Sequence, residues 1–243
     1  MSKEPRRIYT GHNGERLPGV TSILGLLNKP ALLGWAARVA AEATAEAIFD
    51  GGASREVAVL TGKNAHNKKR DKAADLGTLA HELVEMHYTD GAPLVDVSIP
   101  DNAKAHGAYQ RVVEHMERTA TRVIRSEVAL SDPAMGFGGT LDFVLERGGA
   151  LYIGDLKTGK AAYDEVIIQL AAYRWLWSKH EPDMPLAGGG LLIHSPIDGV
   201  CTEVMITPAQ LDVGQHIFGA LVEVYKNLDK CKLDRPEIEK GIP

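Results

Sequence analysis

The sequence predicts an α/β fold, a mixed β-sheet flanked by helices and preceded by a helical N-terminal extension. Two observations carry this. Stretches with apolar residues every three to four positions and short β-prone runs follow one another as helices, three strands, a helix, two strands and a helix. The chain of 243 residues is 44% hydrophobic and 24% charged, enough to bury one substantial core, and no repeat, low-complexity tract or long linker divides it. A single domain over residues 1–243 is therefore expected, with residues 1–75 as the extension and 76–228 as the core.

Taken in order, the alanine-rich run Leu32 to Phe49 reads as a helix. Asp75 to Met86 reads as a second, because Leu76, Leu79, Leu83 and Met86 fall on one helical stripe. A third runs from about Ala103 to Ala120. Strands follow at Val123 to Leu130, Gly138 to Glu146 and Leu151 to Lys157, the last ended by the turn signal Thr158-Gly159. Tyr163 to His180 is a helix with Val166, Leu170, Tyr173 and Trp177 as its buried stripe. Strands at Gly190 to His194 and Cys201 to Ile206 precede a closing helix, Pro208 to Leu228, where Pro208 suits the first turn.

The chemistry concentrates on the second and third strands. Gly138-Gly139-Thr140-Leu141-Asp142 and Ile153-Gly154-Asp155-Leu156-Lys157 lie on a predicted hairpin. Asp155 and Lys157, two positions apart, project from one face while Leu156 points away, and Asp142 can reach that face across the hairpin. Ionised carboxylates left dry and unpaired are costly, so these acids need solvent or a cation, and one magnesium ion would satisfy both. A salt bridge from Lys157 to Asp142 or Asp155 on a solvated sheet edge is the plain alternative. Upstream, His81 and Glu85 stand one helical turn apart; downstream, Gln169 and Tyr173 do the same and can present an amide and a phenol to one space. Each taken alone, His81 also reads as a helix-surface residue and Tyr173 as a core residue.

Read along the chain, the pattern is Gly-Thr-x-x-His (77–81), Gly-Thr-x-Asp (139–142), Asp-x-Lys (155–157) and Gln-x-x-x-Tyr (169–173). This succession resembles the RecB-type branch of the PD-(D/E)XK nuclease superfamily, which includes phage, CRISPR-associated and mitochondrial genome maintenance exonucleases. Arg16-Leu17-Pro18-Gly19-Val20-Thr21-Ser22-Ile23-Leu24, then Leu33-Gly34-Trp35, resembles the opening of the phage and mitochondrial members, with Gly19 where a serine is usual. The resemblance implies a restriction-endonuclease-like core and a metal-dependent DNA exonuclease of recombination, repair or phage DNA processing. A catalytically silent DNA-binding or partner-binding module of the same fold is the alternative.

Residue by residue, the resemblance implies His81, Asp142, Asp155 and the backbone carbonyl of Leu156 as metal ligands. It places Lys157 at the attacking water or the phosphate, as base or as charge stabiliser. Gln169 and Tyr173 would lie beside the cleft, holding nucleic acid or orienting the lysine, and Glu127 matches an acid that some relatives place near the site. Mg²⁺ is the expected ion, with Mn²⁺ as a substitute because of His81, acting as one metal or two. Relatives with an iron–sulfur cluster use four cysteines; this chain has only Cys201 and Cys231, so no cluster is expected.

Other motifs are excluded. His81-Glu82-Leu83-Val84-Glu85 has a glutamate where a zinc-protease helix needs its second histidine, the two cysteines cannot form a zinc knuckle, and there is no phosphate-binding loop of an ATP-driven motor. Any helicase or recombination partner would be a separate protein. The net charge of -5 argues against a protein that coats nucleic acid, but an enzyme needs only a local basic track. Lys68, Lys69, Arg70 and Lys72, ahead of His81, form one candidate for contact with DNA that is single-stranded or has free ends, and Arg174 is another. With two cysteines, no apolar run of membrane-spanning length and no signal-peptide core at Met1 to Arg7, a cytoplasmic protein of a bacterium or phage-infected host is expected.

Overall fold

The computed structural model describes residues 8–27 and 30–231. A short antiparallel pair, β1 (Tyr9–Thr10) and β2 (Arg16–Leu17), leads into a one-turn helix, α1 (Val20–Leu24). Three helices follow, α2 (Pro30–Phe49), α3 (Arg55–Thr89) and α4 (Pro100–Arg118), and then three strands, β3 (Arg122–Asp132), β4 (Phe137–Arg147) and β5 (Ala150–Lys157). The chain continues through α5 (Glu165–His180), β6 (Gly189–His194), β7 (Thr202–Ile206) and α6 (Pro208–Leu228).

The main sheet has the order β3-β4-β5-β6-β7, and only the β5–β6 pair is parallel. The antiparallel neighbours β4 and β5 meet through a two-residue turn, Gly148-Gly149, with both φ angles positive (59° and 80°), the geometry that glycine adopts without steric cost. The parallel pair needs a crossover, which α5 supplies. Helices cover both faces of the sheet. On one, Val20 and Ile23 of α1, the α5 stripe Val166, Leu170, Tyr173 and Trp177, and Leu211 and Phe218 of α6 pack on Leu141, Val144 and Ile153. On the other, Leu83 and Val84 of α3 and Val112 and Met116 of α4 pack on Phe143, Leu145, Leu156 and Ile193. This mixed sheet between helical layers is the expected fold class.

One helix differs from expectation. The element expected to start at Asp75 is the second half of a 35-residue helix that begins at Arg55, where the Ser54 side chain accepts from the Val57 N–H, and passes residue 75 without a break. Its first half packs on α2 through small residues: a Cβ on Gly62 would overlap Thr44 and sit 2.7 Å from the Ala40 carbonyl oxygen. Contacts that close, made by alanine and glycine, leave no large apolar stripe for periodicity to detect.

Candidate active site

Asp142 lies where β4 changes the way its side chains point. Leu141 belongs to the core under α5 and α6, yet Phe143 belongs to the core under α3 and α4, so the alternation of a regular strand breaks between them. On the facing strand Glu127 stands between the pairs Ser126–Phe143 and Val128–Leu141 and has φ +49°, a left-handed conformation rare outside glycine and costly for a glutamate. The irregularity brings Glu127 and Asp142 together with His81 of α3, and one ligand atom from each lies within 4.8 Å of the others. His81 Nδ1 is 3.7 Å from Asp142 Oδ2, too long for a hydrogen bond.

The β4–β5 ladder ends at Phe143–Gly154, while β5 stays paired with β6 as far as Lys157–His194. Beyond the ladder's end the Leu156 N–H donates to Asp142 Oδ2 at 2.9 Å, which ties the carboxylate to the opening between the strands. The Leu156 side chain is in the core on the α3/α4 side. Asp155 and Lys157 point the other way, toward α5. Lys157 Nζ donates to Asp155 Oδ1 at 2.9 Å and to Gln169 Oε1 at 3.2 Å, and Gln169 Nε2 donates to the Tyr173 hydroxyl at 3.1 Å.

The electrostatics follow from burial. Asp155 is fully buried, and desolvation, then the Asp142 charge, push its pKa up from 3.8 to about 7, with Lys157 opposing. Its Oδ2 lies 2.6 Å from Lys157 Nζ as an ion pair but has no properly directed hydrogen-bond donor. Burial alone would lower the pKa of Lys157; Asp155, Asp142 and Glu165 outweigh it and raise the value, so the amine is held as an ammonium. Tyr173 is likewise pushed well up, by burial and then by Asp142, and stays a neutral phenol.

A cleft of about 830 Å³ opens beside this group. Thr78, His81, Glu82 and Glu85 of α3 form one wall, Glu127 and Thr140 the floor, and Tyr9, Arg16, Gly19 and Ser22 of the N-terminal segment the opposite wall. The N-terminal segment is fixed to β4 by a bridge between Gly19 and Gly138 and by a hydrogen bond from the Gly138 N–H to the Pro18 carbonyl.

The structure thus brings together His81, Asp142, Asp155, Leu156, Lys157, Gln169 and Tyr173, and adds Glu127 as a candidate ligand beside His81 and Asp142. Lys68, Lys69, Arg70 and Lys72 are exposed on the same helix as His81. Arg70 pairs with Asp71 and Lys72 with Asp101, whereas Lys68 and Lys69 have no salt bridge among the described residues. Arg174 is turned to α6 instead of the cleft, its guanidinium 2.6 Å from Asp212, so that charge is neutralised within the protein. Tyr9 was given no part by the sequence, and Arg16 and Thr140 appeared only within motifs; the place of Tyr9 and Arg16 at the cleft follows from the docking of the N-terminal segment on β4, which leaves no periodic signal.

Residues 55–229 match the PD-(D/E)XK nuclease superfamily. The chain belongs to that superfamily. The matched span contains Asp142 and Asp155-Leu156-Lys157, as well as His81, Glu127, Gln169 and Tyr173. PD-(D/E)XK nucleases use divalent metals, and His81, Glu127 and Asp142 form the acidic cluster at which this chain could hold one. No curated protein matches the chain significantly. Among solved structures, it is similar to a provisionally assigned exonuclease from Eubacterium rectale, with 12% identity over 69% of this chain and 77% of that one and a TM-score of 0.43. It is also similar to LHK-Exo in a complex with dAMP, with 14% identity over 80% of this chain and 95% of that one and a TM-score of 0.26. Among the described residues no helix is long and apolar enough to cross a membrane.

Proposed function

We propose that this nuclease is a metal-dependent DNA exonuclease of the RecB-type branch, acting in recombination, repair or phage DNA processing in the cytoplasm of a bacterium or phage-infected host. The observation that carries the reading is the convergence of an imidazole and two carboxylates from α3, β3 and β4 at a cleft, with a buried acid–lysine pair next to them. The reading takes residues 1–243 as a single nuclease domain in which 1–75 extend a core at 76–228.

His81, Glu127 and Asp142, with Asp155 and the Leu156 carbonyl beside them, would hold Mg²⁺, or Mn²⁺ in its place. These donors suit a hard cation, since all but the imidazole are oxygens. The full burial and raised pKa of the Asp155 carboxyl mark a negative charge that the Lys157 ammonium alone does not offset. When bound, the ion supplies a Lewis acid that lowers the pKa of coordinated water and offsets charge on the phosphoryl oxygens.

The remaining parts are the chain's own. Lys157, held protonated, acts as a fixed cation at the phosphate, and this state favours charge stabilisation over proton abstraction. Gln169 accepts from the ammonium and Tyr173 holds Gln169, so the pair sets the direction of the lysine. Lys68 and Lys69, about 20 Å along α3 from His81, contact backbone phosphates of the strand leading into the cleft. Incubating fluorescent single-stranded DNA with Mg²⁺, Ca²⁺ or chelator tests the reading. Degradation with Mg²⁺ or Mn²⁺ alone, and loss of label from one terminus first, is expected; intact DNA at high protein concentration would instead support a silent binding module.

A further inference from the structure

Residues 8–27 precede the span that matches the nuclease superfamily, yet they build a whole wall of the cleft. Within that wall, Tyr9 is hydrogen-bonded to the strand that carries Asp142. Its hydroxyl shares a 2.9 Å hydrogen bond with Thr140 Oγ1, two residues before Asp142, and the phenol is close enough to Tyr173 to perturb it electrostatically. The base of the ring rests on Gly138, where a Cβ would overlap it; the outer edge approaches Gly19, whose added Cβ would lie 3.4 Å from Tyr9 Cε2. Two glycines and a threonine therefore fix the orientation of a half-buried aromatic ring that still borders the cleft.

A core aromatic would be enclosed by large apolar neighbours, as Trp177 is in the main core. Tyr9 belongs to neither core cluster. A pre-oriented ring at the side of a phosphodiester-cleaving site matches the π-face of a nucleobase, which can lie on it only when the base is unpaired. Arg16 on the same wall is exposed and has no salt bridge among the described residues, which leaves its guanidinium available to the backbone of the same strand.

We propose that Tyr9 is a stacking platform for an unpaired nucleobase next to the scissile phosphate, so that the N-terminal hairpin selects single-stranded substrate. This rests on the nuclease reading above and names the form of nucleic acid the cleft takes. The ring is a binding and positioning group; it does not touch the reacting atoms.

The test pairs a protein change with a substrate change. Single-stranded oligonucleotides carrying one abasic site, moved a nucleotide at a time from the end, are bound in Ca²⁺ and read by fluorescence anisotropy, and cleaved in Mg²⁺ to give KM and kcat. With the wild type, an abasic site at one position should raise Kd and KM roughly 5- to 100-fold with little change in kcat. Tyr9→Ala should lose the same factor on intact DNA and become indifferent to the abasic site, whereas Tyr9→Phe, which keeps the ring and loses only the Thr140 bond, should retain the sensitivity. Equal sensitivity to abasic sites in the wild type and Tyr9→Ala would overturn the proposal, as would the absence of any sensitive position in the wild type, a result that does not depend on a variant folding. Failure of the wild type to bind or cleave any oligonucleotide would sink the nuclease reading as well; binding with no abasic effect removes the stacking role alone.

Discussion

Asp155→Asn probes the site without any substrate. The buried carboxyl titrates at about 7 in the fold and near 4 in the unfolded chain. Since the folded value is the higher one, the protonated group stabilises the metal-free protein: the contribution is fully present below about pH 4 and is lost as pH rises through about 7. Within that window each pH unit removes up to about 1.4 kcal/mol. Going from pH 5 to pH 7 therefore removes on the order of 2 kcal/mol, or roughly 4–8 °C of melting temperature for a chain of this length. Asparagine cannot ionise, so its metal-free melting curve lacks this component. The assay is thermal unfolding with chelator between pH 5 and pH 7, read as the difference between wild type and variant so that titrating groups remote from Asp155 cancel. The wild type should fall relative to Asp155→Asn by that amount, and Mg²⁺ or Mn²⁺ should raise the wild-type value most at the upper end. Parallel curves would refute the argument that Asp155 is a desolvated acid in need of a cation.

Four further outcomes follow from the same geometry. Lys157→Ala should lower kcat by at least about 100-fold while calorimetry still detects metal binding; normal cleavage would remove the lysine from the mechanism. Glu127→Gln should weaken Mg²⁺ affinity and, because φ +49° is unaltered by the change, leave the fold's melting temperature in chelator within a few degrees; unaltered affinity would exclude it as a ligand. Lys68→Ala with Lys69→Ala should reduce the slope of log affinity against log salt by about 1.4 on single-stranded DNA, whereas Arg174→Ala should leave that slope unchanged, because Arg174 is paired with Asp212. Gly139→Ala places a Cβ 2.7 Å from Tyr173 Cε1 and 2.9 Å from Val20 Cγ2; a loss of about 1–3 kcal/mol in stability is expected in urea unfolding, with a fall in kcat as Tyr173 moves Gln169.

How much of this was legible in the sequence depends on which interaction places each residue. The five strands of the main sheet and the α5 stripe are set by local periodicity, and they stand in the structure within a few residues of where the sequence puts them. Asp155, Lys157, Gln169 and Tyr173 are joined by contacts between a strand end and the helix that follows it, at i, i+2 and i, i+4 spacings that the sequence states directly. The first half of α3 was not legible, since its contact with α2 runs through Ala58 and Gly62. The pairing of Arg174 with Asp212, 38 residues away in the chain, was not legible from its position beside Tyr173.

Glu127 marks a different limit. On a regular β3 it would alternate with its neighbours, and nothing in its own type or spacing would turn it toward His81. Its placement depends on a left-handed backbone at one position, opposite the point where β4 switches faces and just before β4 and β5 separate. The same separation frees the Leu156 N–H to take the Asp142 carboxylate. These departures from regular sheet pairing thus place two of the three clustered side chains and fix one of them. The cost of a strained glutamate is understandable if the sheet is held in this shape by what the acids bind, and Glu127→Gly separates the two contributions. It removes the strain and the carboxylate together, so it should raise the chelator melting temperature relative to Glu127→Gln while losing metal affinity to the same extent. A drop in stability instead would mean that the side chain, and not a tolerated distortion, holds β3 in place.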